Sequence, residues 1–231
     1  MRFLRFFMEG SLTEYGYVPR EKQIELAEEI FAAINDHSIL LAEAAVGTGK
    51  TLAYLLPAVL ARRGRLNRDK LCVTLRDGHA MPVVIATSSI ALQTALINDY
   101  IPSLSRILIE KNVIKTPLTA ALRKGKKHYI CERRLADFIK TANAPTLAAA
   151  APLKDPKYLD LSGLKGVSSY IKRNIQVDDQ CGAGCPLYEN CHYMRFTRRI
   201  SAGGYDFQVV NHNLFFGRHN AQGAKEEPHN A

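Results

Sequence analysis

No apolar stretch in the sequence is long enough for a secretory signal or a membrane span. Met1 to Met8 interleaves arginines with its apolar residues, and the longest later run, Leu52 to Ala61, is interrupted by Pro57. A soluble, cytoplasmic protein with no membrane partner is the expectation. Cysteine is scarce, five in 231 residues. In a reducing compartment those thiols are not expected to form a disulfide framework, which leaves metal binding or plain burial. Acidic side chains are outnumbered, 22 against 31 Lys and Arg, and the formal net charge of +9 favours a polyanionic partner over an acidic one. Hydrophobic residues make up 47%, enough for a packed core in a chain sized for one large domain or one and a half ordinary ones.

What is present begins with residues 42–51, Ala-Glu-Ala-Ala-Val-Gly-Thr-Gly-Lys-Thr. An apolar run, Ile39-Leu40-Leu41-Ala42, precedes it, and a helix-period stretch from Lys50 to about Arg63 follows. Strand, glycine-rich loop and helix together make the setting of a phosphate loop. Gly47, Thr48 and Gly49 let backbone N–H groups turn toward phosphate oxygens. Lys50 offers a point charge to the β and γ phosphates, and the Thr51 hydroxyl can reach Mg²⁺ at the helix N-terminus. Mg-ATP or Mg-GTP is the implied ligand. One departure stands out: a strict phosphate-loop pattern has glycine where this chain has Ala44.

Around the loop, Pro19 to Ile24 opens an amphipathic helix with Ile24, Ala27, Phe31 and Ile34 on one face, ended by Asn35-Asp36. Arg65 to Pro82 reads as a polar connector with a turn at Asp77-Gly78. Val83-Val84-Ile85-Ala86 reads as a strand buried on both faces of a parallel sheet, and Thr87, Ser88 and Ser89 as caps for a helix reaching about Asn98. The alternation argues for an open α/β sheet. Ala144 to Ala151 reads as a linker or weak helix, Met194 to Ile200 as a basic helix, Phe207 to Val210 as a further strand, and the tail from Gly217 as polar and frayed.

Four cysteines, Cys131, Cys181, Cys185 and Cys191, follow the spacing C-x49-C-x3-C-x5-C. Four thiols so arranged close a long loop, and the spacing is compatible with zinc or with an iron–sulfur cluster. Cys72 lies far off and reads as a small core residue. Arg123, Lys124, Lys126, Lys127, Arg133 and Arg134 surround Cys131, while Arg195, Arg198 and Arg199 follow Cys191; Tyr129 and Tyr193 stand beside ligands. Cations interleaved with aromatics suit a single nucleic-acid strand.

These pieces together resemble the iron–sulfur helicases of superfamily 2, the XPD/DinG family, and its DinG-like bacterial members most of all, over residues 15–216. Tyr17, Arg20 and Gln23 resemble the adenine-reading element. Residues 43–51 resemble motif I, in which Ala44 is ordinary, and residues 86–93 resemble motif Ia, whose Thr87 and Ser88 positions contact the DNA backbone. Residues 122–131 resemble the approach to the first cluster ligand, and residues 205–212 the strand returning from the cluster domain. The resemblance implies a RecA-like P-loop α/β fold with an inserted, mostly helical cluster domain: motor domain 1 over 1–115, a 4Fe–4S domain over 116–200, then a returning strand and polar tail over 201–231. It implies ATP and Mg²⁺ on Arg20, Gln23 and 47–51, with Lys50 and Thr51 catalytic. A 4Fe–4S cluster falls on Cys131, Cys181, Cys185 and Cys191. Single-stranded DNA falls on Thr87, Ser88, Lys124, Lys126, Lys127 and Tyr129.

A helicase of this type hydrolyses ATP with an Asp-Glu-x-His box and a second motor domain. Here Glu226-Glu227-Pro228-His229 is only a weak imitation of that box. The expectation is a monomeric N-terminal portion of a helicase, 5′-to-3′ in direction and incomplete for catalysis, with a separately encoded C-terminal portion as partner if the gene is split. The alternative is a cluster-bearing single-strand-binding module without turnover. A zinc-containing phosphate-loop ATPase is a third reading.

Overall fold

The structure, a computed structural model, describes residues 2–63, 81–155, 159–162 and 164–223. In chain order its elements are α1 (Arg2–Phe6), α2 (Glu21–Asn35), α3 (Lys50–Arg63), β1 (Val83–Ala86), α4 (Ile90–Ala95), α5 (Ile101–Glu110), β2 (Ala120–Arg123), α6 (Glu132–Thr141), α7 (Ala144–Ala150), α8 (Ser169–Ile175), α9 (His192–Ser201), β3 (Phe207–Val210) and α10 (His212–Gly223). They make an α/β protein with a three-stranded sheet ordered β1-β3-β2, in which β1 and β3 run parallel with Val83 opposite Phe207 and Ala86 opposite Val210. The chain divides into two compact units. One comprises residues up to Leu122 plus Gly203–Asn211; the other comprises Arg123–Ala202 and the residues from His212 on.

The first unit is built on apolar faces set by helical spacing. Helix α2 buries Ile24, Ala27 and Phe31, and α3 buries Ala53, Leu55, Leu56, Val59 and Leu60. The sheet contributes Phe207 and Val209 to the same core, and α5 contributes Leu104, Ile107 and Leu108. The Ser89 hydroxyl caps α4 by accepting the Leu92 N–H at 3.2 Å. The helix then runs on past Asn98, through a wider π-type turn at Leu96–Tyr100 and into α5. Pro102 sits in the first turn of α5, directly after the π-type turn, and has no N–H to donate back to it.

Three expectations are corrected here. Ile39 to Ala42 is irregular backbone, not a strand, with Ile39 99% and Leu41 98% exposed. A strand needs a ladder partner, and among the described residues none lies beside this run. Strand β1 is not buried on both faces: it stands at a sheet edge and Val84 is 43% exposed. The C-terminal segment stays helical through Gly223 instead of fraying from Gly217. The Asp77-Gly78 turn, Cys72 and the Glu226–His229 stretch lie outside the described residues.

In the second unit, Ile130, Leu135, Ala150, Leu153, Ile171 and Ile175 form one core across α6, α7 and α8. Residues 144–150 are helical, with the Asn143 side chain accepting the Thr146 N–H. A smaller cluster joins Tyr129, Val177, Cys191 and Tyr193, with Cys131 and Cys181 packed against it.

Candidate functional site

In the first unit the loop 43–51 ends at the start of α3, and two residues of the preceding helix region reach it. Gln23 donates from Nε2 to the Gly49 carbonyl at 2.7 Å, and the Arg20 guanidinium donates to the Gly47 carbonyl. Gly47 and Gly49 both take left-handed φ, +86° and +81°. The left-handed backbone favours glycine at 49, and a Cβ there would lie 2.0 Å from Gln23 Nε2, so the amide would have to leave its bond to the Gly49 carbonyl. The Lys50 ammonium donates to the Ala44 and Ala45 carbonyls at 2.7 and 2.8 Å. Its acceptors are neutral carbonyls, so its charge remains available to an anion at the loop.

Beside the loop, Gly16, Tyr17, Arg20, Gln23, Gly49, Thr51 and Tyr100 line a cavity of about 300 Å³. Arg20, Gln23, Gly49 and Thr51 thus meet in one place. Tyr100 belongs to the same wall and was missed by motif reading, because it reaches the cavity from the π-type turn after α4 and carries no local pattern. On the other side of Lys50 and Thr51, Leu40, Ala44, Tyr54 and Leu92 help to line a cavity of about 560 Å³. The Tyr54 hydroxyl is buried there, with no hydrogen-bond partner among the described residues. Burial raises its pKa, against the opposing pull of the nearby Thr51 hydroxyl. Thr87 holds the strand end, donating its N–H to the Val210 carbonyl at 3.0 Å, while its hydroxyl accepts the Ser89 N–H.

In the second unit Cys131 precedes α6, Cys191 precedes α9, and Cys181 and Cys185 lie on the turn-rich loop between α8 and α9. All four are free thiols. Burial first, then the neighbouring Cys131, Cys191 and Cys185 thiols, push the Cys181 thiol above its ordinary value, which places all four within electrostatic reach. Among the described residues no group of three or more His, Cys, Asp or Glu side chains closes on a point that would hold a metal ion. The donor chemistry, four thiols gathered on one small unit, fits a thiolate-ligated group; the present spacing does not close around a single ion.

The basic approach to Cys131 divides by role. Lys124 is drawn inward, donating to Asp160 at 2.5 Å and to the Ser162 hydroxyl at 2.8 Å. Lys126 reaches only the Asp179 carbonyl at 3.4 Å, and Lys127 makes an exposed pair with Asp179 at 3.4 Å. Tyr129 is 4% exposed. Its ring packs on Tyr193 and Phe196, its hydroxyl accepts the Lys124 N–H at 3.0 Å, and burial pushes its pKa up to about 12. That ring faces the interior, not solvent.

No protein-family model matches the sequence. Curated relatives do. The ATP-dependent DNA helicase YoaA of Haemophilus influenzae is 30% identical over 224 residues, 91% of this chain and 31% of the relative. The ATP-dependent helicase DinG of Mycobacterium tuberculosis is 27% identical over 86% of this chain and 31% of its own length. The 3′-5′ exonuclease DinG of Bacillus subtilis is 32% identical over 126 residues, 53% of this chain and 11% of the relative. The chain spans about a third of the length of the first two. No helix among the described residues is long and apolar enough to cross a membrane. Over about nine-tenths of its length the chain is thus similar to part of the ATP-dependent helicases named YoaA and DinG.

Proposed function

We propose that this chain supplies the ATP-binding and cysteine-bearing portion of a DinG-like ATP-dependent DNA helicase that moves on single-stranded DNA, in the 5′-to-3′ sense the resemblance implies. One observation carries the reading. Arg20 and Gln23, distant in sequence from the loop, are held on the carbonyls of Gly47 and Gly49 and share a cavity with Thr51. That arrangement supports reading residues 17–23 as a base-binding wall and residues 47–51 as a phosphate-binding loop. ATP would lie with its base against Tyr17, Arg20 and Gln23 and its phosphates over residues 47–51. The Lys50 ammonium would face the β and γ phosphates and the Thr51 hydroxyl would face Mg²⁺.

Cys131, Cys181, Cys185 and Cys191 are the residues that would hold a 4Fe–4S cluster. Such a cluster supplies a compact cross-link between distant segments and, where exposed, an electron-transfer centre. The single strand would meet Thr87 and Ser88 in the first unit and Lys126 and Lys127 in the second, through phosphate contacts. Tyr129, with its ring buried, serves to hold the cation-bearing segment in place, as does Lys124 through Asp160.

Titration with a fluorescent ATP analogue tests the reading. Lys50→Ala removes the fixed cation and should weaken binding about tenfold to hundredfold, the loss of one hydrogen bond to a charged group. Unchanged affinity would mean the loop does not read nucleotide phosphates.

A further inference from the structure

The residues that directly follow Cys131 and Cys191 are bonded to each other. Glu132 opens α6 and His192 opens α9, 60 positions apart in sequence. The Glu132 carboxylate accepts the His192 backbone N–H at 3.3 Å through one oxygen and pairs with the imidazole Nδ1 through the other. One carboxylate therefore caps the N-terminus of the neighbouring helix and clasps its first side chain, where the helix dipole favours a negative charge. Both groups line the same pocket of about 200 Å³, floored by Ile130, Leu135 and Leu159.

The two cysteines beside this clasp have anchored backbones. Cys131 donates its N–H to the Ile175 carbonyl at 2.7 Å and accepts the Leu135 N–H at 2.8 Å. Cys191 donates to Leu187 at 2.8 Å and accepts from Arg195 at 2.9 Å. Cys185 donates to Gly182 at 3.0 Å and accepts from Tyr188 at 2.9 Å, while Cys181 donates to Asp178 at 3.4 Å. Of the four, Cys131 is the one whose backbone is tied to a distant segment, at Ile175, and the Glu132–His192 contact joins it to the start of α9 beside Cys191.

We propose that Glu132 and His192 are positioning residues that preset Cys131 and Cys191 as a fixed pair within the four-thiol site. This rests on the reading of the four cysteines as ligands of one group. Partners that orient ligands from outside the coordination sphere set the geometry a metal meets, and their loss costs roughly tenfold to a hundredfold in metal affinity. A clasp that spans two helix starts does this without touching the metal.

The test uses the full chain in two assays. In the first, the metal-free protein with Cys72, Cys181 and Cys185 changed to Ser is treated with a short bifunctional maleimide, and Cys131–Cys191 bridging is followed by mass spectrometry. Rapid bridging that falls several-fold in Glu132→Ala and in His192→Ala, and is largely kept in Glu132→Gln, which retains the acceptor for the backbone N–H, is the expected result. In the second, iron and sulfide uptake under anaerobic conditions is compared between the otherwise unaltered chain and Glu132→Ala, with circular dichroism as the check on folding. Uptake about tenfold slower or weaker in Glu132→Ala is expected. Bridging and uptake both unaffected by Glu132→Ala in a folded protein would overturn the proposal. If the unaltered chain takes up no iron while bridging still depends on Glu132, the clasp stands and the cluster reading fails.

Discussion

The Arg63 guanidinium grips the Asp206 carboxylate with two hydrogen bonds, 2.6 Å from Nε and 2.5 Å from Nη2. Arg62 adds a third at 3.0 Å, and the Thr119 N–H and hydroxyl donate to the same carboxylate at 2.7 and 2.9 Å. Asp206 precedes β3, Thr119 precedes β2 and the arginines end α3. One buried carboxylate thus ties α3 to the two places where the chain leaves the first unit and comes back to it.

Asp206→Asn should destabilise the first unit by about 3 kcal/mol or more, because it strips the charge from a buried carboxylate and leaves Arg62 and Arg63 uncompensated. The pH dependence has a definite sign. Burial raises the Asp206 pKa, but the Arg63 and Thr119 hydrogen bonds overcome it and hold the value below the ordinary carboxylate range. A lowered folded-state pKa contributes stability that is present above the unfolded value of about 3.9 and is lost as pH falls through the folded value. Urea unfolding at pH 7 should separate the two proteins clearly, and the gap should narrow on acidification below about pH 4. A constant gap would assign the effect to packing.

The two loop glycines should respond differently to alanine. Gly47→Ala meets no atom within 4 Å and carries only the left-handed backbone penalty, about 1–2 kcal/mol. Gly49→Ala adds an overlap with the Gln23 amide and breaks the contact that joins α2 to the loop. Nucleotide affinity should fall further in Gly49→Ala than in Gly47→Ala. The reverse order, measured by the same analogue titration, would place the nucleotide away from Gln23.

How much of this was legible in the sequence follows from the range of each interaction. Helices α2, α3 and α9 and strands β1 and β3 come close to their expected bounds, since apolar spacing and caps act within a few residues. The glycine turn before α3 is legible for the same reason, Gly47 and Gly49 both taking left-handed φ. Ile39 to Ala42 has strand composition but no strand, because pairing is a long-range property that composition does not carry. Asp206 with Arg63 and Glu132 with His192 are joined across 143 and 60 positions, and no local pattern announces either. Lys124 looked like its neighbours Lys126 and Lys127 until Asp160 and Ser162 were seen to hold it.

Iron and sulfide analysis of chain purified without oxygen should give about four of each per protein, the content of a Cys₄-ligated cubane. Replacing Cys131, Cys181, Cys185 or Cys191 by Ser should bleach the visible absorption, and Cys72→Ser should leave it intact. Stoichiometric zinc in place of iron would remove the cluster from the proposed function while leaving the nucleotide site untouched.

The lysines near Cys131 should separate binding from folding. Lys126 and Lys127 are exposed and reach Asp179, so changing both to Glu should leave the fold intact and weaken binding to a single-stranded oligonucleotide. If each contacts one phosphate, the slope of log affinity against log salt should shrink by about 1.4, from roughly 0.7 per phosphate on a single strand. Lys124→Glu should behave otherwise. Its ammonium is held by Asp160 and Ser162, so a carboxylate there faces another carboxylate and should lower the unfolding midpoint before it alters any salt slope. Fluorescence anisotropy at several salt concentrations, paired with thermal melts, reads both effects. A double Lys126→Glu, Lys127→Glu protein with unchanged affinity and slope would move the strand-binding surface away from the cysteine-bearing unit's basic approach.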